Sequence, residues 1–376
     1  MTGRPRIRFQ IQPTVSHYRE PLVRRLRQSR SLALEMVGRF SNSEAQQADR
    51  IQSASARTLQ QVTALQTLTA GLLWWEKGQV SAVWRGGFDA YVLEGRIYTV
   101  STWAAAVAGR LRRRRVLLWG HGWKRPEGGA KRQLRLCFYR LVDGLMVYGD
   151  RAKELGISYG VPESKIQVVY NSLYSEADLP DAARARAQVA SAAAGRPTLI
   201  YCSRLTTRHR LDILAEALRD WPEDQPAPRV LIVGDGVERP RLQRLFAEAG
   251  VEAEFLGAVY EFRRLAELYS QADVALSVGG AGLNVIQALG FAVPVVAESG
   301  HRDSSPEIEA VVEGVSGRYF HGGSAESLRE VLHTLLQDRE LLARLGERGQ
   351  QIVRRRYTAE RHAEAIEAAL HHFLSR

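Results

Sequence analysis

Cysteine is nearly absent from this chain. Cys137 and Cys202 are the only two in 376 residues, far apart and each inside an apolar run. That excludes a disulfide scaffold and argues against a thiolate metal site. Long apolar runs are missing as well: no stretch of about eighteen apolar residues occurs, so no transmembrane helix is expected. The opening segment, MTGRPRIRFQIQP, passes from basic residues straight into a strand-like alternation without an apolar leader core, so a cytoplasmic location is expected. Repeats and low-complexity segments are absent. Acid is scarce in the first half only. Residues 1–170 carry 28 Lys+Arg and 12 Asp+Glu, a balance of +16, and the remainder carries 24 and 29, a balance of −5. A basic half calls for an anionic partner, namely nucleic acid, an anionic membrane surface or a phosphorylated acceptor. The bland alternative is a generally Arg-rich composition. No helix-turn-helix, RNA-binding sheet or zinc motif occurs, so nucleic acid is not expected as a partner.

What is present is 45% apolar content, enough for real cores, and a length that suits about two domains. Strand-like and helix-like stretches alternate, the mark of parallel α/β domains. Arg6–Gln12, Leu32–Val37, Ala90–Gly95 and Val116–Gly122 read as strands. Thr102–Arg115 reads as a helix ending in four arginines. Leu59–Gly78, with Trp74 and Trp75, fits helix or strand equally. The basic stretches Arg110–Arg115 and Lys131–Arg140, with Trp119, Trp123 and Phe138, suggest a patch that could sit on an anionic lipid leaflet, against a merely solvated basic face. Residues 173–196 read as a linker with an Ala-rich helix. From 197 the alternation restarts through TLIYCSRL, RVLIVGDG, AEFLG and DVALSV, and residues 325–376 are helical. The expected architecture is a first Rossmann-like domain over 1–172, a linker over 173–196 and a second over 197–357. A C-terminal helix over about 358–376 is expected to pack back on the first. Ligands of such a pair belong at the carboxyl ends of the strands, in the cleft between the domains.

One stretch organises the rest: Ser277–Val296, SVGGAGLNVIQALGFAVPVV. A buried strand runs into a glycine turn (Gly279, Gly280, Gly282) and a helix over Leu283–Leu289, with Gly290 as its stop. Glycines let a ligand approach the backbone, and the helix start offers unpaired N–H groups at the positive end of its dipole. A phosphate is the usual guest. Gly280, Gly282 and Val285 fail the G-x-G-x-x-G pattern at its third glycine, so a nicotinamide cofactor is disfavoured. Other polar groups also follow strands: Ser16, His17, Tyr18 and Arg19 after the first, His121 after VLLWG, Arg204 after LIYCS, and Gly234 and Asp235 after LIV.

SRLTTRHRLDILAEAL, VLIVGDGVERPRLQRL, LAELYSQADVALSVGGAGLNVIQALGFAVPVVAESG and PEIEAVVEGVSGRYF, in series over roughly residues 165–357, resemble the family-4 retaining glycosyltransferases of the GT-B fold. The first half resembles them only through VLLWGHG and GVPESKIQVVYNS. The resemblance implies a UDP- or GDP-sugar donor held by the second domain and a glycan or lipid-linked acceptor at the first. Transfer would retain anomeric configuration, without cofactor or metal, in polysaccharide or lipopolysaccharide synthesis. The chain would be cytoplasmic, peripheral on the inner membrane face. No Asp-x-Asp pair occurs, as a metal-dependent transferase of the other large fold would need.

Residue by residue, Arg204 matches the family's phosphate-neutralising arginine. The family's lysine falls at His209, between Arg208 and Arg210, so either His209 is protonated or a neighbouring arginine serves. His121 resembles the cleft histidine, with a packed loop histidine as the plain alternative. Gly279, Gly280, Ala281, Gly282 and Leu283 would hold the β-phosphate through backbone N–H groups. Gly234 and Asp235 form a turn beside the donor, and Glu307 approaches the nucleotide or caps a helix. The family's glutamate pair is lost: its positions are Gly279 and Gln287. Gln287 can still bond ribose hydroxyls, less strongly than a carboxylate. Ser16, His17, Tyr18 and Arg19 replace a glycine loop and are assigned to the acceptor. The alternative is a non-catalytic nucleotide-sugar or glycan-binding protein on the same fold.

Overall fold

In the computed structural model, residues 3–40, 52–181 and 196–376 are described. The Ala-rich helix expected within 173–196 falls largely outside them. The chain divides into two units: residues 1–175 with 358–376, and residues 176–357.

The first unit is built on seven parallel strands: β1 Arg6–Ile11, β2 Ala33–Gly38, β3 Thr63–Ala64, β6 Ala90–Glu94, β7 Arg115–Gly120, β8 Gly144–Val147 and β9 Ile166–Val168. Their order is β3-β2-β1-β6-β7-β8-β9. β6 and β8 are buried along their whole length, as strands covered on both faces must be. That is why their sequences run apolar instead of alternating. The helix Glu20–Arg27 starts with Pro21 in its first turn and turns Leu22, Val23 and Leu26 inward, leaving arginines outside. The helix Ala359–Leu374 packs Ile366, Leu370 and Phe373 into the same core as Ile7, Phe9 and Trp119.

Two expectations change here. The helix Val100–Arg112 stops before the last arginines. Arg113 takes the left-handed conformation (φ 52°), and Arg114 N–H returns to the Gly109 carbonyl at 2.8 Å. That closure frees Arg115 to begin β7. Trp119, Trp123 and Phe138 are buried core residues and do not belong to a surface patch.

Leu59–Gly78 turns out to hold the end of a short helix (Ala56–Leu59), β3, and an antiparallel hairpin of β4 Thr67–Ala70 and β5 Leu73–Glu76. Leu68 faces Trp75 and Ala70 faces Leu73 across it.

The second unit has six parallel strands: β10 Thr198–Cys202, β11 Arg229–Val233, β12 Ala253–Gly257, β13 Val274–Ser277, β14 Val295–Glu298 and β15 Gly317–Phe320. Their order, β12-β11-β10-β13-β14-β15, is the 3-2-1-4-5-6 winding of the Rossmann fold. The winding reverses between β10 and β13, so the crevice for a ligand opens at their carboxyl ends. The helix after the glycine turn runs Leu283–Gly290, one residue longer than expected and ending at the expected stop, and Phe291 caps it. Gln350 fixes that end by donating to the Gly290 carbonyl at 2.9 Å. Among the described residues, no helix is long and apolar enough to cross a membrane.

Candidate functional site

The reversal point of the second unit is built from three segments: 203–210 after β10, 279–284 after β13, and 301–307 after β14. Gly279 has φ 75°, and a Cβ there would lie 2.4 Å from the Arg208 carbonyl oxygen and 2.7 Å from His209 Cα. The position therefore admits only glycine, and the family's first glutamate could not be carried on this backbone. Gly234 is pressed likewise: its Cβ would lie 1.9 Å from the Ser203 carbonyl. Asp235 Oδ1 accepts the Gly236 N–H at 2.8 Å, which makes Asp235 a member of that turn.

The N–H groups of the glycine turn are mostly occupied. Gly279 donates to Glu298 Oε2 (2.8 Å), Ala281 to Ser304 Oγ (3.3 Å) and Gly282 to Asn284 Oδ1 (2.9 Å). Gly280 makes a long bond to the Arg208 carbonyl (3.5 Å). Among the described residues, no protein acceptor takes the N–H groups of Leu283 and Asn284 in the first helical turn. They are the ready anion donors, at the end carrying about half a positive charge. Of the five residues expected from the sequence to present N–H groups, Leu283 is the one whose N–H has no protein acceptor among the described residues, and Asn284 joins it.

Sequence reasoning missed Glu298. It is 4% exposed, and its second oxygen accepts the Gly323 N–H at 3.0 Å, so it clamps the glycine turn to the segment after β15. The available signal was an acid ending the otherwise apolar strand PVVAE.

His209 is 3% exposed. Its Nδ1 pairs with Thr206 Oγ1 at 2.8 Å, and Arg208 Nε donates to its Nε2 at 3.3 Å. An acceptor at Nε2 means an uncharged ring. Burial first, then the charges of Arg208 and Arg204, push its pKa down to about 3. In this state His209 is uncharged and orients Arg208, and the positive charges at this point are Arg204, Arg208 and Arg210, all solvent-exposed. Gln287 is half-buried and its amide meets Cys202 Sγ at 3.6 Å, a weak acceptor it can leave. Glu307 is buried in the turn Pro306–Ala310, and the preceding Ser305 donates to the Ala281 carbonyl at 2.8 Å. That backbone bond ties the third segment to the glycine turn, with Glu307 buried two residues further on.

The first unit has its own reversal point, between β1 and β6, and a buried polar box fills it. Gln10 and Gln79 donate to Glu76, while Arg39 bridges Glu76 (3.1 Å) and Glu94 (2.7 Å). Burial raises the Glu76 pKa to about 7 against the opposing pull of Arg39. Nearby, Ser16 and Arg19 are buried, which is a correction for two side chains assigned to an acceptor. Arg19 donates to the Gln12 carbonyl, Asn171 and Tyr148 at 2.7–3.1 Å, and so braces the loop. His17 and Tyr18 are half-buried. His121 is half-buried after β7, edge-on to Tyr148 with centroids 5.0 Å apart. Burial, Lys124 and Arg19 keep its imidazole neutral.

Two Rossmann-type units with this winding define a GT-B fold. Residues 184–352 match the family model of Glycosyl transferases group 1, and the fold is like that of GT-B glycosyltransferases. The matched region carries all three segments of the reversal point. The chain is 30% identical over 181 residues to the GDP-mannose-dependent alpha-(1-6)-phosphatidylinositol monomannoside mannosyltransferase of Mycolicibacterium smegmatis (45% of this chain, 46% of that protein). It is 28% identical over 174 residues to the monoacylated-substrate counterpart of Corynebacterium glutamicum (44% of each chain). It spans about half the length of the curated relatives it matches. Anabaena HepE, solved with UDP, superposes with a TM-score of 0.68 over 98% of this chain and 99% of that one, at 18% identity, a likeness of fold.

Proposed function

We propose that this protein is a retaining glycosyltransferase of the family-4 type. It moves a hexose unit from a UDP- or GDP-sugar to a glycan or lipid-linked acceptor in surface-polysaccharide synthesis, at the cytoplasmic face of a membrane. One observation carries the reading: a helix N-terminus with unsatisfied N–H groups at the reversal point of the second unit, flanked by Arg204, Arg208 and Arg210. The leaving nucleoside diphosphate gains negative charge as the glycosidic bond breaks, and groups aimed at that charge lower the barrier. Leu283 and Asn284 N–H groups, the helix dipole and the arginines would supply this without a metal or covalent intermediate. His209 would hold Arg208 in place, and Gln287 would turn from Cys202 to the ribose.

Loss of both motif glutamates favours a second reading, a non-catalytic protein that binds nucleotide sugars or glycans. A thermal-shift screen against UDP, GDP, ADP and their sugars, followed by turnover assays, separates the two. A bound diphosphate at a hundredfold excess over Kd should stabilise the protein by about 2.7 kcal/mol. Binding without turnover of any donor would leave the second reading standing, and no binding would sink both.

A further inference from the structure

The hairpin β4–β5 has two unlike faces. Its inner face carries Trp74 and Glu76. Glu76 is locked into the buried box by Arg39, Gln10 and Gln79, and Trp74 lies under the guanidinium of Arg96 at 3.8 Å. Its outer face is apolar throughout: Leu68 (54% exposed), Ala70, Leu73 (52%) and Trp75 (41%), with Leu72 (72%) at the tip. A two-stranded hairpin gains little alone, and exposed apolar groups gathered on one face mark a contact surface. Trp74 N–H bonds the Tyr98 carbonyl at 3.0 Å, which joins the hairpin to the start of the helix Val100–Arg112. That helix exposes Val100, Val107 and Leu111, seven and four residues apart and so on one side. The helix and its flanking residues carry charge of one sign. Residues 95–115 contain six arginines and no Asp or Glu. Arg110, Arg112 and Arg113 are exposed, and Arg112 lies over the exposed Trp84 ring at 5.1 Å.

We infer that this face docks on an anionic lipid bilayer, with the tip of β4–β5 entering the headgroup region and the helix arginines meeting lipid phosphates. Apolar side chains on a rigid mount, edged by exposed arginines of which, among the described residues, Arg110 alone is paired with an acid on this face (Asp143, 3.9 Å), suit that partner, whereas a protein partner would call for a mixed-charge rim. The inference extends the membrane part of the proposed function and replaces the buried Trp119, Trp123 and Phe138 with a different surface. Because Glu76 and Trp74 hold the hairpin from within, its outer residues can change without disturbing the fold.

The test is co-sedimentation of the full chain with phosphatidylcholine vesicles, with and without about 30% phosphatidylglycerol, at two salt concentrations. Binding should need the anionic lipid and weaken with salt. The double substitution Leu72→Ser/Leu73→Ser should weaken it by about tenfold to a hundredfold. Arg112→Glu should weaken it by at least about fivefold. Melting temperature should not move. A wild-type chain that stays in the supernatant, or a double variant that binds as well as wild type, overturns the inference. So does a dimer on gel filtration that the double variant dissolves, since the face would then belong to a second copy. UDP and GDP binding by the wild-type chain without vesicles reports the donor site separately. Its absence, with wild-type vesicle binding and its loss in the double variant as expected, would sink the donor reading alone.

Discussion

The two units share a winding and use its reversal point in opposite ways. In the second unit the strands part around backbone: a glycine turn, a helix start and two unengaged N–H groups, with positive side chains at the rim. In the first, the equivalent crevice is closed by side chains, with Arg39, Glu76, Glu94, Gln10 and Gln79 satisfying one another out of water. The same topology thus leaves two backbone N–H groups without protein acceptors in one unit and, in the other, forms a sealed anchor for a hairpin. A crevice at a reversal point becomes a ligand site only if the chain leaves its donors unspent.

Four substitutions or conditions sharpen this contrast. The largest effect is expected from Arg39→Ala, which leaves Glu76 and Glu94 buried without their cation. It should cost about 3–5 kcal/mol of first-unit stability, read by denaturant unfolding followed through tryptophan fluorescence, with nucleotide binding by the second unit retained. Next comes Gly279→Ala. A left-handed backbone and a Cβ 2.4 Å from the Arg208 carbonyl should displace the 208–210 segment. Misplacement of about 1 Å at a reacting centre costs on the order of a hundredfold in rate. Wild-type turnover in this variant would show that the turn does not position the donor.

Gln287→Ala should be milder, about 0.5–1.5 kcal/mol in donor affinity for one hydrogen bond, measured by calorimetry with UDP or GDP. Unchanged affinity would mean that Gln287 stays on Cys202. The most gradual effect is on pH. Glu76 has its pKa raised from 4.5 to about 7 in the folded state, so the fold holds that proton more tightly than the unfolded chain does. Its contribution is complete below pH 4.5 and is lost as pH rises through about 7. First-unit stability should therefore fall across that window, and Glu76→Gln should flatten the slope. His209 has the opposite sign. Its stabilising contribution is complete above pH 6.5 and fades as pH falls toward about 3, so donor binding should show no step from it near neutrality.

Much of the fold could be read from the residues. Strands buried on both faces announce themselves as short apolar runs, and in the second unit each run became a strand. The hairpin hid because its outer face is as apolar as a core strand, and nothing local says which face meets water. Trp119, Trp123 and Phe138 misled for the converse reason: aromatics among arginines look like a surface patch until packing buries them. At the site, the position of the glycine turn was legible, but its free donors were not. Those depend on Glu298, which lies 19 residues further on, and on Ser304. The charge of His209 depended on burial and on Arg208 Nε, which spacing does not encode.

The first unit is interrupted. Its strands are complete by residue 168, but the side chains that finish its core, Ile366, Leu370 and Phe373, come only after the whole second unit. Phe373 packs so closely on Gly144 that a Cβ there would meet its ring at 2.4 Å. His362, fully buried, pairs with Ser172 at 3.0 Å. On a ribosome, the segment made first must therefore wait, partly uncovered, while the segment made later closes on itself. The order of completion along this polypeptide is the reverse of its order of synthesis.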